Sequence, residues 1–196
     1  MKKLTVFTSV FLVLTIIVSA FTPVINMSES ISNKVFRLHI LANSDEKYDQ
    51  ELKLKVRDKI LTLSKELYSG CESVDEAINI SKDNLDLFRE TAQKVIAFYG
   101  FEYEARPYVT KEYFNTRKYD NFSLPAGIYD CLKIEIGQGR GKNWWCVMFP
   151  SVCLSGCTDD FNGVLTEDER RMIEEDKYIV KFKAVEIYEK LKNRFR

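Results

Sequence analysis

Apolar and polar residues alternate from Val35 to Leu41, where Phe36, Leu38 and Ile40 are separated by Arg37 and His39. Period two predicts a strand with one face in a core. Ala42-Asn43-Ser44-Asp45 follows, a cluster that suits a turn and a helix cap. From Lys47 to Tyr68 the spacing becomes helical, with Leu52, Val56, Ile60, Leu63 and Leu67 on one face. Glu51 stands four residues before Lys55, an outward ion pair on such a helix. Gly70 ends this helix. A second long helix is expected from Ser73 to Gly100. Ser73-Val74-Asp75-Glu76 fits a capping box, and Val74, Ile78, Leu85, Phe88, Ala92, Val95 and Tyr99 form its apolar face.

After Gly100 the period returns to two. Phe101 to Ala105 alternates, and Tyr108 to Tyr119 is rich in aromatic and β-branched residues, enough for one strand or two. Leu124-Pro125-Ala126-Gly127 reads as a turn. Tyr129 to Ile136 alternates again, and Trp144 to Phe149 is a short apolar strand. The glycine-rich stretch Gly137 to Asn143 between them is expected to be a hairpin connection. Thr166 to Glu175 suits a short polar helix, Tyr178 to Phe182 a strand, and Val185 to Phe195 a final amphipathic helix. This order predicts an α+β fold: a mainly antiparallel sheet with two long consecutive helices and a C-terminal helix packed on it.

The N-terminus changes the picture. Lys2 and Lys3 precede an uncharged, apolar run from Leu4 to Phe21. Residues 1–28 therefore read as a signal peptide, cleaved near Val18-Ser19-Ala20, or as a retained N-terminal membrane anchor. Residues 29–196 then form a single exported α+β domain. Without Lys2 and Lys3 there are 27 basic and 29 acidic residues, a net charge of −2, which gives no electrostatic reason to expect nucleic-acid binding. Export permits disulfides, and of Cys71, Cys131, Cys146, Cys153 and Cys157 a disulfide involving Cys146 or Cys153 is expected, with its connectivity open. Their spacing lacks a paired C-x-x-C and the chain has one histidine, so neither a metal nor another cofactor is expected.

Three kinds of chemistry are open to the remaining motifs. The stretch Gly137-Gln138-Gly139-Arg140-Gly141-Lys142 fails both the Walker A and the dinucleotide spacings, because Asn143 follows Lys142 and Gly141 comes one residue early. A Cys-His hydrolase would use Cys146 as nucleophile and His39 as base, with Asn43 or Asp45 orienting the ring. Glu102 and Glu104 share a strand face, but nothing converges on them. The third reading is recognition. Trp144 and Trp145 should point to opposite faces, one into the core and the other outward beside Arg140, Lys142 and Asn143, which is the composition of a binding hot spot.

Four blocks in order, Phe36 to Asp45, Asp49 to Asp58, Leu124 to Gly127 and Gly137 to Pro150, resemble the stage II sporulation protein R family of endospore formers. The resemblance implies a protein exported across the forespore membrane into the intermembrane space. There it would activate a membrane-embedded aspartic protease of the mother cell, which removes the pro-sequence of sigma-E. It implies a signal and not an enzyme, with no catalytic residue to carry over. The expected contact surface is Arg140, Lys142, Asn143, Trp144, Trp145 and the turn Asn43, Ser44, Asp45, all near loops where binding residues concentrate. The alternative remains an exported Cys-His hydrolase acting on peptidoglycan or peptides.

Overall fold

The computed structural model describes residues 2–119, 121–150, 161, 163–175 and 178–194. Helix α1 (Lys2–Ser32) leads into strand β1 (Phe36–Leu41). Helices α2 (Lys47–Leu67), α3 (Val74–Asp83) and α4 (Leu85–Phe98) follow. Next come β2 (Ala105–Phe114), the short β3 (Arg117–Lys118) and β4 (Ser123–Leu124), β5 (Gly127–Ile136) and β6 (Asn143–Phe149). Helices α5 (Glu167–Glu174) and α6 (Ile179–Arg194) end the described chain. The class is α+β, as the order of patterns implied.

The four longer strands form one mixed sheet in the order β2-β5-β1-β6. Strands β2 and β5 pair antiparallel, as do β1 and β6, while β1 and β5 run parallel. Strands β3 and β4 make a separate two-stranded ribbon. Strand β1 thus lies between β5 and β6. The stretch 137–142 is therefore not a hairpin turn; it carries the chain from β5 across the end of β1 to reach β6. Adjacency in sequence suggests a hairpin, but a parallel partner is inserted between the two strands.

One face of the sheet is aliphatic. Leu38 and Ile40 of β1, Leu132, Ile134 and Ile136 of β5, and Met148 of β6 pack on Val56 and Ile60 of α2, Ala77 of α3, and Phe88, Ala92 and Ile96 of α4. Each fully buried side chain of this kind contributes about 1.5–3 kcal/mol of burial free energy. The helix expected from Ser73 to Gly100 is two helices. Asn84 separates them: its side-chain amide donates to the Ile80 carbonyl at 2.8 Å, competing with the next helical turn. Ser73 caps α3 as expected, accepting from the Glu76 amide at 3.2 Å, but the Glu76 carboxylate accepts from Glu72 and not from the cap residue. The ion pair on α2 is also different: Lys47 faces Glu51 at 3.8 Å, and Lys55 is left to the surface.

The opposite face is covered too, so β1 is buried on both sides. Its cover comes from the end of α1 through Val24 and Ile31, from Phe122, Leu124 and Phe161, from Met172 and Ile173 of α5, and from Phe182 and Val185 of α6. The strand expected at Tyr178 to Phe182 is instead the start of α6. Phe182, Val185 and Glu189 are buried at steps of three and four, a helical and not a two-residue period.

The cover is held to α1 by polar links. Glu169 closes a capping box on Thr166 at the start of α5. Its carboxylate also accepts from Lys34 Nζ at 2.7 Å and from Ser30 Oγ at 2.5 Å. Burial alone would raise the Glu169 carboxyl, but these donors outweigh it and hold it below the usual range. Lys192 of α6 reaches Glu29 at 2.6 Å. Helix α1 runs unbroken through residue 28, the expected edge of the exported domain. Among the described residues no helix is long and apolar enough to cross a membrane.

Candidate functional site

The sharpest local geometry lies where 137–142 crosses the end of β1. The Gly141 amide donates to the Ala42 carbonyl at 2.9 Å, and the Arg140 amide to the Asn43 carbonyl at 3.3 Å. The Gln138 amide donates to Asn43 Oδ1 at 3.0 Å, and the Lys142 amide to Asp45 Oδ1 at 2.7 Å. This contact explains two of the glycines. Gly137 has φ +58°, and a Cβ there would overlap the Asn43 amide oxygen. At Gly141 a Cβ would overlap the Ser44 carbonyl. The glycines thus bring the backbone against the turn, not around a phosphate.

A buried layer supports this seam from beneath. Asp49, fully buried on α2, accepts from Asn43 Nδ2 at 2.9 Å and from Ser44 Oγ at 2.6 Å. Its other carboxylate oxygen has no hydrogen-bond partner. Lys53 Nζ donates to the Lys142 carbonyl at 2.8 Å and to Gln50 Oε1 at 2.6 Å. Burial pushes the Lys53 ammonium below its ordinary range, and Arg57 and Lys142 add to this against the pull of Asp45. Two loops read separately in the sequence are therefore one rigid surface. Asn43 and Ser44 turn inward to hold it, whereas Asp45, Arg140, Lys142 and Asn143 are exposed.

Beside the seam stands a set of rings that the sequence reading did not single out. Tyr48 stacks on Phe101 with centroids 6.0 Å apart, and Phe101 on Tyr103 at 5.3 Å. Tyr48 is exposed and the other two are partly buried. The signal is present in Phe101-Glu102-Tyr103-Glu104, but alternation there predicts a strand. The stretch is a loop before β2, and Glu104 meets Arg106 at 3.7 Å instead of pairing with Glu102 as a carboxylate site.

The two tryptophans do point to opposite faces, but neither ring is exposed. Trp144 packs against the aliphatic cluster with the Arg57 guanidinium 4.3 Å above its ring, and its Nε1 has no hydrogen-bond partner. Trp145 stacks on His39 at 3.7 Å, with 21° between the planes. The expected outward tryptophan is absent because α2 covers one side of β6 and the second cover layer reaches the other.

The Cys-His arrangement is not assembled. Cys146 lies opposite Leu38 across the β1–β6 pair, whereas His39 lies opposite Trp145, so the two side chains leave opposite faces. Cys146 is disulfide-bonded. Cys153, the other cysteine of that expectation, lies outside the described residues. Asn43 is engaged in the seam, and the His39 ring instead meets Glu112 at 2.5 Å through Nδ1 and Asn143 at 2.8 Å through Nε2. A free thiol does occur on this face, Cys131, 3.9 Å from Glu112. Burial, and then Glu112, push that thiol up to about 12, which removes the thiolate a nucleophile needs. Among the described residues no group of three or more His, Cys, Asp or Glu side chains could hold a metal ion.

What the geometry defines is a hydrogen-bonded surface, made of two loops, on an α+β domain. Residues 32–159 match the stage II sporulation protein R family, and the chain belongs to it. It is 33% identical over 129 residues to stage II sporulation protein R of Bacillus subtilis (strain 168), across 66% of this chain and 58% of that relative. The chain thus aligns with somewhat over half the relative's length. No solved structure matches it.

Proposed function

We propose that this sporulation protein is an exported signal that binds the extracytoplasmic part of a membrane-embedded aspartic protease and shifts it to an active state. The protease then processes pro-sigma-E in the mother cell. The observation that supports a binding role is the seam itself, where two of the blocks that carry the family resemblance meet as one locked surface. Its exposed groups include Arg140, Lys142, Asn143 and Asp45, with the aromatic rings of Tyr48, Phe101 and Tyr103 alongside. A preformed surface loses little conformational entropy on docking. Activation further requires that the surface bind the active form of the protease more tightly than the inactive one.

The test is co-expression in a non-sporulating host of the protease, pro-sigma-E and this chain, with or without residues 1–20. Processing is expected only when both the chain and its export segment are present. Replacing Arg140 and Lys142 together by Ala should reduce processing roughly thirtyfold, the scale of a hot-spot loss of about 2 kcal/mol. Processing by a competent protease in the absence of this chain would overturn the reading.

A further inference from the structure

A different surface lies on the outer side of α2 and α4, away from the seam residues just described. There an open cavity of about 680 Å³ is lined by Lys55, Lys59, Lys94, Val95, Phe98 and Tyr99, with Asp58 and Thr91 also at its wall. Helix α4 buries Phe88, Ala92 and Ile96 inward at steps of four. Phe98 falls off that stripe and is 82% exposed, and Tyr99 is 46% exposed. The two rings meet edge to face at 5.2 Å. Water is a poor solvent for so large an unshielded ring, which sets this site apart from ordinary scattered apolar surface.

The charges around the rings favour one kind of occupant. Lys55 and Lys59 make no ion pair among the described residues, and Lys94 meets Glu90 only at 3.7 Å. The Asp58 carboxylate is held by Arg57 at 2.6 Å. The rim is therefore net cationic. Protein-binding hot spots favour Trp, Tyr and Arg and are poor in Lys. Lysines with long apolar stems around a protruding aromatic ring suit a lipid boundary, where the stem lies along the acyl region and the ammonium reaches the headgroups. We propose that the Phe98 patch docks on an anionic lipid surface, with Phe98 inserted and Lys55, Lys59 and Lys94 at the headgroups. The patch lies on the α2–α4 side of the sheet, whereas α1 packs on β5 and α6 on the other side. The docked lipid would therefore face away from the α1 layer. The patch supports this docking independently of the signalling reading.

Helix α1 exposes Phe7 and Phe11, so vesicle binding by the whole chain would not by itself locate the contact. A probe at the patch does. In the full chain carrying Phe98→Trp, vesicles of brominated phosphatidylglycerol should quench and blue-shift an emission component that the unsubstituted chain lacks. Brominated phosphatidylcholine should do neither. Adding Lys55→Ala and Lys59→Ala should weaken the response more than tenfold, since each near-surface lysine is worth roughly fivefold in partitioning. An unchanged signal from the introduced indole while the chain sediments with anionic vesicles would overturn the proposal and assign binding to α1. A blue shift that grows with protein concentration in the absence of lipid would also overturn it, in favour of a second copy on the patch.

Discussion

The two faces of the central sheet come from the same strands and follow opposite rules. Toward α2, α3 and α4 the buried strand residues include Leu38, Ile40, Leu132, Ile134, Ile136, Cys146 and Met148. On the other side Arg37, His39 and Cys131 are buried among Phe114, Tyr129 and Trp145. The Arg37 guanidinium lies 4.0 Å from the Phe114 ring centroid and 4.9 Å from that of Tyr129, and it donates to the Tyr119 hydroxyl at 2.6 Å. Its Nε and Nη1 have no hydrogen-bond partner. The aliphatic face is non-directional and is worth what it removes from water. The polar face depends on particular partners, so its parts should respond unequally to substitution.

The largest effect is expected on the aliphatic face. Phe88→Ala should destabilise the fold by about 3–5 kcal/mol in denaturant unfolding, since a fully buried aromatic leaves a cavity the helices cannot close. A loss below about 1 kcal/mol would show that α4 is not part of the main core.

Next is the link that ties the cover layer of the polar face to α1. Glu169→Gln should cost about 1.5–3 kcal/mol at neutral pH, the scale of hydrogen bonds to a charged group. The folded carboxyl is held low. Its contribution is therefore complete above the unfolded carboxyl's range and lost as pH falls through the folded one. Unfolding curves of the two proteins should converge on acidification; a gap that persists there would exclude charge as its origin.

A smaller effect, about 1 kcal/mol, is expected for Glu112→Gln. This carboxylate meets His39 and Lys133 but is 27% exposed, so solvent screens it. Burial lowers the Lys133 ammonium, yet Glu112 and Tyr108 together raise it above its usual range. Loss of the carboxylate should therefore lower the lysine's titration as followed by NMR.

The smallest effect is the most informative. Arg37→Met should stay within about 1 kcal/mol of the unsubstituted chain, because an apolar isostere avoids the desolvation that offsets a buried charge. A loss above about 3 kcal/mol would show that the guanidinium holds the polar face together.

Much of this was legible in the residues. The positions of β1, α2, β5, β6 and α5 follow from period and capping, and the glycines of 137–142 announced a special backbone. What misled was alternation. Arg37 and His39 between apolar neighbours look like the uncovered face of a strand with one face in a core, and Tyr178 to Phe182 looks like a strand. Both patterns are also produced by a second buried face and by the first turn of a helix. No spacing signal tied Tyr48 to Phe101 and Tyr103, because they come together from α2 and a loop some fifty residues apart.

The sequence by itself determined the class of fold, the start and type of most elements, and the family, since these rest on local periodicity, caps and contiguous blocks. The tertiary structure alone decided that β1 lies between β5 and β6, that both faces of the sheet are covered, and that Cys146 and His39 point apart. Those facts depend on which distant segments pair and which layer lands on a face. A strand's own pattern records only that a side chain is to be on one face or the other, not what will meet it there.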